Sequence, residues 1–403
     1  VGGRPRQPVI AWQGSLPASF GVGCVLKLLT APSVYETPSL GMFFHYAFDG
    51  RMMERGLDLA KLGLGWVSPN PLVGAVIVKH GNVIGEGYHA KAGDAHAEIT
   101  ALHAATASVR GATLYVNLEP CNHQGRTPPC TEAIIAAGIK RVVVGMRDPN
   151  PHVTGKGIER LREMGIHVTI GVRESACQSL NRIFTHWVTL QRPYVAAKVA
   201  ISSDYKIAAA PGVRTQITGP EAQAKVHELR QMYDAILVGA GTVIADNPEL
   251  SVRHYPHRPR DPRRIILDST LRIPMGANVL RDGNLLIATT RNADPRKLAS
   301  LRQSGIPLVV TGNQEGRVNV AEVLGWCAGN SVTSILVEGG REAFDSFQRA
   351  GLIARWYVFV GSRPLGHGGV DARSDLTPLK RCIAGCKPQF FGQDAFYECA
   401  SES

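Results

Sequence analysis

The sequence predicts an α/β protein built as two successive α/β units, and three observations carry that expectation. Apolar runs of strand length alternate with stretches of helical spacing, first across residues 46–190 and again after Tyr194. Turn-forming residues such as Pro69-Asn70-Pro71 and Gly81 punctuate the alternation. A chain of 403 residues is also long enough to bury more than one core.

In the first unit, Met53, Leu57, Ala60 and Leu64 recur at helical spacing and predict an opening helix over 46–64. Segments 72–78 and 82–89, separated by Gly81, predict a hairpin. Helix formers dominate 95–107, with Asp94 as the expected N-cap. Strands are expected over 112–118, 141–146 and 167–170, and helices over 131–137, 158–164 and 174–183. The alternation implies helices on both faces of a mixed sheet.

A boundary is expected between Arg182 and Pro193, dividing a unit 45–190 from a unit 191–403. Residues 1–44 are rich in Gly, Pro and Ala and read as a loose extension, with a targeting peptide as the alternative. In the second unit, strands are expected over 194–201, 235–238, 264–267, 285–289, 334–337 and 355–360. Helices are expected over 220–232 and 342–351.

Composition narrows the function classes. No apolar run approaches the ~18 residues of a membrane helix, so no membrane partner and a cytoplasmic location are expected. The formal charge of +11 invites a nucleic-acid reading, but the excess is spread along the chain. The densest run, Arg253 to Arg264, mixes arginine with proline and histidine and reads as an exposed loop. The eight cysteines form no framework of the kind small secreted domains use, so a reducing compartment is expected. Cys382 and Cys386, four apart with no second pair near, read as structural or incidental.

The chemistry concentrates between Asp94 and Cys130. His96, Cys121 and Cys130 are three ligands that zinc accepts, and three leave a fourth tetrahedral position open, as catalytic sites require. Glu98, two residues past His96, is placed to carry protons. A single His or Cys is ordinarily a packed residue. Four such residues in register are another matter.

The segments Asp94-Ala95-His96-Ala97-Glu98 and Glu119-Pro120-Cys121 through Gly125-Arg126-Thr127-Pro128-Pro129-Cys130 closely resemble the deaminase half of the bifunctional riboflavin-biosynthesis deaminase–reductase family. The resemblance implies a cytidine-deaminase-like α/β/α sandwich holding Zn2+, with Glu98 catalytic. It also implies that Asn70, His89 and Arg126 bind a phosphorylated pyrimidine.

Further on, residues 198–208, 237–253 and 336–341 resemble the reductase half of the same family, which implies a dihydrofolate-reductase-like α/β domain binding NADPH. Gly239-Ala240-Gly241-Thr242 and Glu338-Gly339-Gly340 place glycines after strands, where backbone amides can approach an anion. Carried over by position, Ala200, Gln216, Thr242, Asp246, Ser269, Gly339 and Gly340 contact the nucleotide. Arg214, Arg230, Leu250, Arg253 and Glu338 contact the ribosyl substrate. Three departures from the family pattern are Tyr205 in place of Gly, Arg214-Thr215-Gln216 in place of Ser-x-Trp, and Ala354-Arg355-Trp356 without its acidic residues.

The resemblance implies zinc-dependent deamination of a phosphoribosylamino-pyrimidinone, followed by NADPH-dependent reduction of its ribosyl chain. Two alternatives stay open: an active deaminase joined to a silent reductase domain, and a nucleic-acid deaminase. The expected partner is a small phosphorylated pyrimidine and not nucleic acid, with room for a homo-oligomer.

Overall fold

The computed structural model describes residues 40–401 apart from 125–127, 152, 254–259 and 373–374. The expected N-terminal extension, up to residue 39, lies outside the described residues. From Ala47 onward the chain is one compact body carrying two large sheets.

The first sheet grows from α1 (Leu40–Lys61), β1 (Gly74–Lys79), β2 (Asn82–Tyr88), α2 (Ala97–His103) and β3 (Thr113–Leu118). It continues through α3 (Cys130–Ala136), β4 (Arg141–Met146), α4 (Lys156–Glu163), β5 (His167–Ile170), α5 (Glu174–Leu180) and α6 (Arg182–Leu190). The strand order is β2-β1-β3-β4-β5. β1 runs antiparallel to β2 and β3, while β3, β4 and β5 are parallel, so the sheet is mixed as expected.

Strand alternation sends successive side chains to opposite faces. Ala75, Ile77, Leu114 and Val116 pack with Ala97 and Ala101 of α2, Ile134 of α3 and Leu161 of α4. Val76, Val78 and Tyr115 pack on the other side with Met53 and Leu57 of α1 and Cys177 of α5. Both faces are therefore covered, which is why these strands read as nearly continuous apolar runs. α2 can lie close to β2 because Gly87 has no side chain; a Cβ there would collide with backbone atoms of Ala97 and Ala101.

Two helix boundaries differ from expectation. α2 is capped at His96 and not at Asp94, and no side chain caps it, because His96 still has extended backbone and its Nδ1 is turned to the Cys130 sulfur. The expected helix over 174–183 breaks at Asn181 and resumes as α6, which occupies the predicted boundary segment. Asn181 ties this break to the first sheet, because its side-chain amide exchanges hydrogen bonds with the backbone of Leu72, at 2.8 and 3.0 Å.

The second sheet begins with β6 (Tyr194–Ile201), β7 (Lys206–Ala208), α7 (Pro220–Gln231), β8 (Ala235–Gly239), α8 (Ala240–Asp246) and β9 (Arg263–Leu267). There follow β10 (Leu285–Thr290), α9 (Pro295–Gln303), β11 (Leu308–Thr311), β12 (Asn313–Gln314), β13 (Arg317–Val318) and α10 (Val320–Gly329). The last elements are β14 (Ser334–Gly339), α11 (Arg341–Arg349), β15 (Arg355–Val360), β16 (Val370–Asp371), α12 (Thr377–Gly385), β17 (Gln389–Phe391) and β18 (Asp394–Ala400). Nine strands take the order β11-β10-β9-β8-β14-β6-β15-β18-β17. They are parallel as far as β15, after which β18 and then β17 add antiparallel.

The two sheet units meet through the loop before β1 and through α6. Ser68 donates to Asp234 at 2.9 Å, and Arg182 of α6 donates to the Tyr357 hydroxyl of β15 at 2.8 Å.

One expectation is corrected here and another is sharpened. The arginine-rich run is not simply a loop: β9 starts at Arg263, and Arg264 is buried and paired with Asp282, because a strand entering the sheet pulls its last arginines inward. Of the two cysteines read as structural or incidental, Cys382 is structural, since it forms a disulfide with Cys399. α12 and β18 bring the two together across a sequence separation of 17, a pairing invisible to spacing rules.

Candidate active sites

β3 ends in Glu119-Pro120, and Glu119 fixes what comes next. Its carboxylate accepts from the backbone N–H groups of Gly155 and Gly157 at 3.0 Å and of Ile158 at 3.2 Å. The strand end and the start of α4 are thereby locked, and Cys121 follows on a rigid base. Cys130 is the first residue of α3, where the partial positive charge of a helix start favours a thiolate.

His96 Nδ1 lies 3.2 Å from Cys130 Sγ and 3.5 Å from Cys121 Sγ, and the three ligand atoms all lie within 4.8 Å of one another. Zinc bonds of about 2.1 Å to nitrogen and 2.3 Å to sulfur give tetrahedral edges of roughly 3.6–3.8 Å, so this donor set fits the ion closely. A hydrogen bond from Cys130 is the main reason the Cys121 thiol falls to about 4, and the Cys130 thiol rises because it holds the shared proton.

Glu98, in the first turn of α2, is 3% exposed. Burial pushes its carboxyl up to about 7, with the negative Cys121 adding to the effect. His89 lies alongside with its ring edge-on to His96, the ring centres 5.6 Å apart. Its Nδ1 is 3.1 Å from the Ala95 carbonyl, which can only accept, so Nδ1 carries the proton and Nε2 accepts from Asn70 Nδ2 at 3.1 Å. Burial lowers the His89 pKa and keeps that ring neutral. Asn70, His89, His96, Glu98, Cys121 and Cys130 are thus brought together; Arg126 lies outside the described residues.

In the second sheet, a cavity of about 1090 Å³ opens at the carboxyl ends of β8 and β14. Ala200, Arg214, Gln216, Thr242, Asp246, Ser269, Gly339 and Gly340 all line it. A neighbouring cavity of about 420 Å³ is lined by Arg230, Leu250 and Arg253. Arg214, Thr242, Asp246 and Glu338 line both.

Local geometry explains the glycines. Gly340 starts α11 at φ 83°, a left-handed conformation costly to other residues. A Cβ on Gly339 would stand 2.9 Å from Thr242 Oγ1. Arg230 grips Glu338 at two points, 2.6 and 2.8 Å, and donates to the Ser251 carbonyl at 3.0 Å. Against the opposing effect of its burial, Arg230 brings the Glu338 carboxyl below its ordinary range.

Sequence reasoning missed Lys198, which lines both cavities. Burial lowers its pKa, opposed by the charge of Glu338. The signal was present: a lone cation inside the apolar strand Tyr194–Ile201. Tyr205 does adopt a positive φ of 64°, but its ring packs on the core with Lys380 Nζ 5.5 Å above it, and it lines neither cavity.

Residues 47–146 match the cytidine and deoxycytidylate deaminase zinc-binding region, and residues 193–383 match the RibD C-terminal domain. The riboflavin biosynthesis protein RibD of Aquifex aeolicus is 42% identical over 320 residues, covering 79% of this chain and 88% of that protein. The chain belongs to the RibD family. The Escherichia coli RibD is 38% identical over 341 residues, covering 82% of this chain and 91% of its own. Among solved structures, Acinetobacter baumannii RibD superposes with a TM-score of 0.76 at 34% identity, covering 89% of this chain and all (100%) of that one. A Thermotoga maritima diaminohydroxyphosphoribosylaminopyrimidine deaminase/5-amino-6-(5-phosphoribosylamino)uracil reductase gives 0.75 at 36% identity, with 89% and 100% covered.

This RibD chain is therefore a bifunctional riboflavin-biosynthesis enzyme with a deaminase domain of the cytidine-deaminase type and a reductase domain resembling dihydrofolate reductase. Neither the nucleic-acid deaminase nor the silent reductase is favoured, because the relatives span both halves together. The donor set and the matched zinc-binding region agree on zinc, and a reductase domain calls for a nicotinamide cofactor. Among the described residues, no helix is long and apolar enough to cross a membrane.

Proposed function

We propose that this chain deaminates 2,5-diamino-6-(5-phosphoribosylamino)pyrimidin-4(3H)-one within residues 45–190, then reduces the ribosyl chain of 5-amino-6-(5-phosphoribosylamino)uracil with NADPH within residues 191–403, in the cytoplasm. The observation that carries the first step is a fully enclosed carboxyl, Glu98, beside an imidazole and two sulfurs set at the spacing of one metal ion.

His96, Cys121 and Cys130 would hold a zinc ion, which would supply a water acidic enough to act as a nucleophile near neutral pH. Glu98 takes up a proton and returns it to the departing amine, a role suited to a group poised near 7. Neutral His89 orients Asn70, whose amide hydrogen-bonds the pyrimidine, and Arg126 meets the substrate phosphate.

In the second step the cleft at the carboxyl ends of β8 and β14 would hold NADPH, which would supply the hydride. The Gly339–Gly340 turn leaves room for its phosphates, and Ala200, Gln216, Thr242, Asp246 and Ser269 line its cleft. Arg214, Leu250 and Arg253 hold the ribosyl phosphate end in the smaller cavity. Arg230 anchors Glu338, and Lys198 beside it donates the proton that completes the reduction.

Incubating zinc-loaded protein with the phosphorylated diaminopyrimidinone and reading products by mass tests both steps. Replacement of an amino group by oxygen without NADPH, then gain of two hydrogens with it, is the expected result. The first change alone removes the reductase assignment, and neither change removes both.

A further inference from the structure

The described residues hold a second cluster of potential ligands and nucleophiles, far from the chemistry above in sequence: Cys382, Cys386 and Cys399, whose three sulfurs lie within 4.8 Å of one another. Cys382 and Cys399 are bonded, with Cα atoms 5.6 Å apart, inside the range a disulfide spans without backbone movement. Both are nearly sealed, at 5% and 6% exposure. Cys386 is different: it is a free thiol at the end of α12, packed against the core but only half-buried.

Its placement is set by the helix. Cys386 N–H donates to the Cys382 carbonyl at 3.2 Å, the bond of a continuing helical turn, so residues four apart share one face. That face looks onto β18, where Cys399 is held with its Sγ 3.3 Å from the Cys382 carbonyl. The least buried of the three sulfur-bearing residues therefore stands against a bond between the two that are nearly sealed.

We propose that Cys386 is a thiol–disulfide exchange site, through which a small soluble disulfide closes the Cys382–Cys399 bond and a small thiol reopens it. In the closing direction the Cys386 thiolate attacks the external disulfide RSSR, forming a mixed disulfide and releasing one RSH. The Cys382 thiolate then attacks Cys386 Sγ and displaces the second RSH. Finally the Cys399 thiolate attacks Cys382 Sγ and returns Cys386 to the thiol. Two protein thiols are oxidised and one external disulfide is reduced to two thiols, so electrons and protons balance.

The bond clips α12 to the sheet edge, and α12 carries Lys380, which lies over Tyr205 in the turn between β6 and β7. Exchange at Cys386 therefore acts on the wall of the large cavity, to which Ile207 and Ala208 of β7 contribute.

The test uses the full zinc-loaded chain, fully reduced and then placed in oxidised glutathione, with thiols trapped by alkylation at intervals and mapped by peptide mass. Closure of Cys382–Cys399 is expected to be roughly tenfold slower in Cys386→Ser, since access then limits attack. In a Cys382→Ser/Cys399→Ser double variant, glutathione is expected to remain bound at Cys386. Denaturant melts of the reductase half report folding in each variant. Equal closure rates with and without Cys386, or no glutathione on Cys386 in the double variant, overturn the proposal.

Discussion

Arg230 and Glu338 meet as a two-point ion pair, 2.6 and 2.8 Å, with side chains only 12% and 6% exposed. The pair joins α7 to the end of β14 and so fixes the wall between the two cavities of the reductase domain. Removing one partner strands a buried charge, which costs about 3–5 kcal/mol. Arg230→Ala is therefore expected to lower the denaturation midpoint of the reductase half and abolish reduction while deamination persists. Denaturant melts with separate product assays check this.

The same pair sets a pH dependence. Glu338 has a folded pKa below its unfolded value, so its contribution is fully present above the ordinary carboxylate range near 4.3 and is lost as pH falls through the depressed value. Stability followed from pH 7 to 3 is expected to hold level down to about 5 and then decline. In Glu338→Gln the acid decline is expected to be shallower. An identical slope in both proteins contradicts the assignment.

Gly340 tests the phosphate turn. At φ 83° a side chain is strained by about 1–2 kcal/mol whatever space surrounds it. Gly340→Ala is expected to raise KM for NADPH roughly tenfold, a shift of about 1.4 kcal/mol, and to leave deamination unchanged. Initial rates over an NADPH series measure it.

Lys198 tests the proton donor. Lys198→Met keeps the volume of the buried chain and removes the proton, so kcat for reduction is expected to fall by about 10² to 10⁴ with little change in nucleotide affinity. Fluorescence titration with NADPH separates the two quantities.

Much of this was legible in the sequence. Five-strand order aside, the runs at Arg141–Met146, His167–Ile170 and Tyr194–Ile201 fall where their apolar patterns place them. The grouping of His96, Cys121 and Cys130 near Glu98 was legible because their chemistry is rare and their spacing short. What stayed hidden depends on long-range contact. The Cys382–Cys399 bond needs α12 laid on β18, and α8 is too short for a helical pattern to announce it. Asp94 looked like a cap because caps are local, yet the N-cap position falls two residues later, at His96, whose side chain turns to the sulfurs and caps nothing. Lys198 was passed over because its strand reads as core, and only the cavities reveal why a cation sits there.

The most direct measurement compares Glu98→Gln with the parent protein, recording zinc content by metal analysis and the deamination rate on the same samples. Full zinc occupancy with deamination reduced by about 10² to 10⁴ is the predicted result, and NADPH-dependent reduction of the deaminated substrate should proceed as before. A zinc-replete Glu98→Gln protein that deaminates at the parental rate would contradict the account.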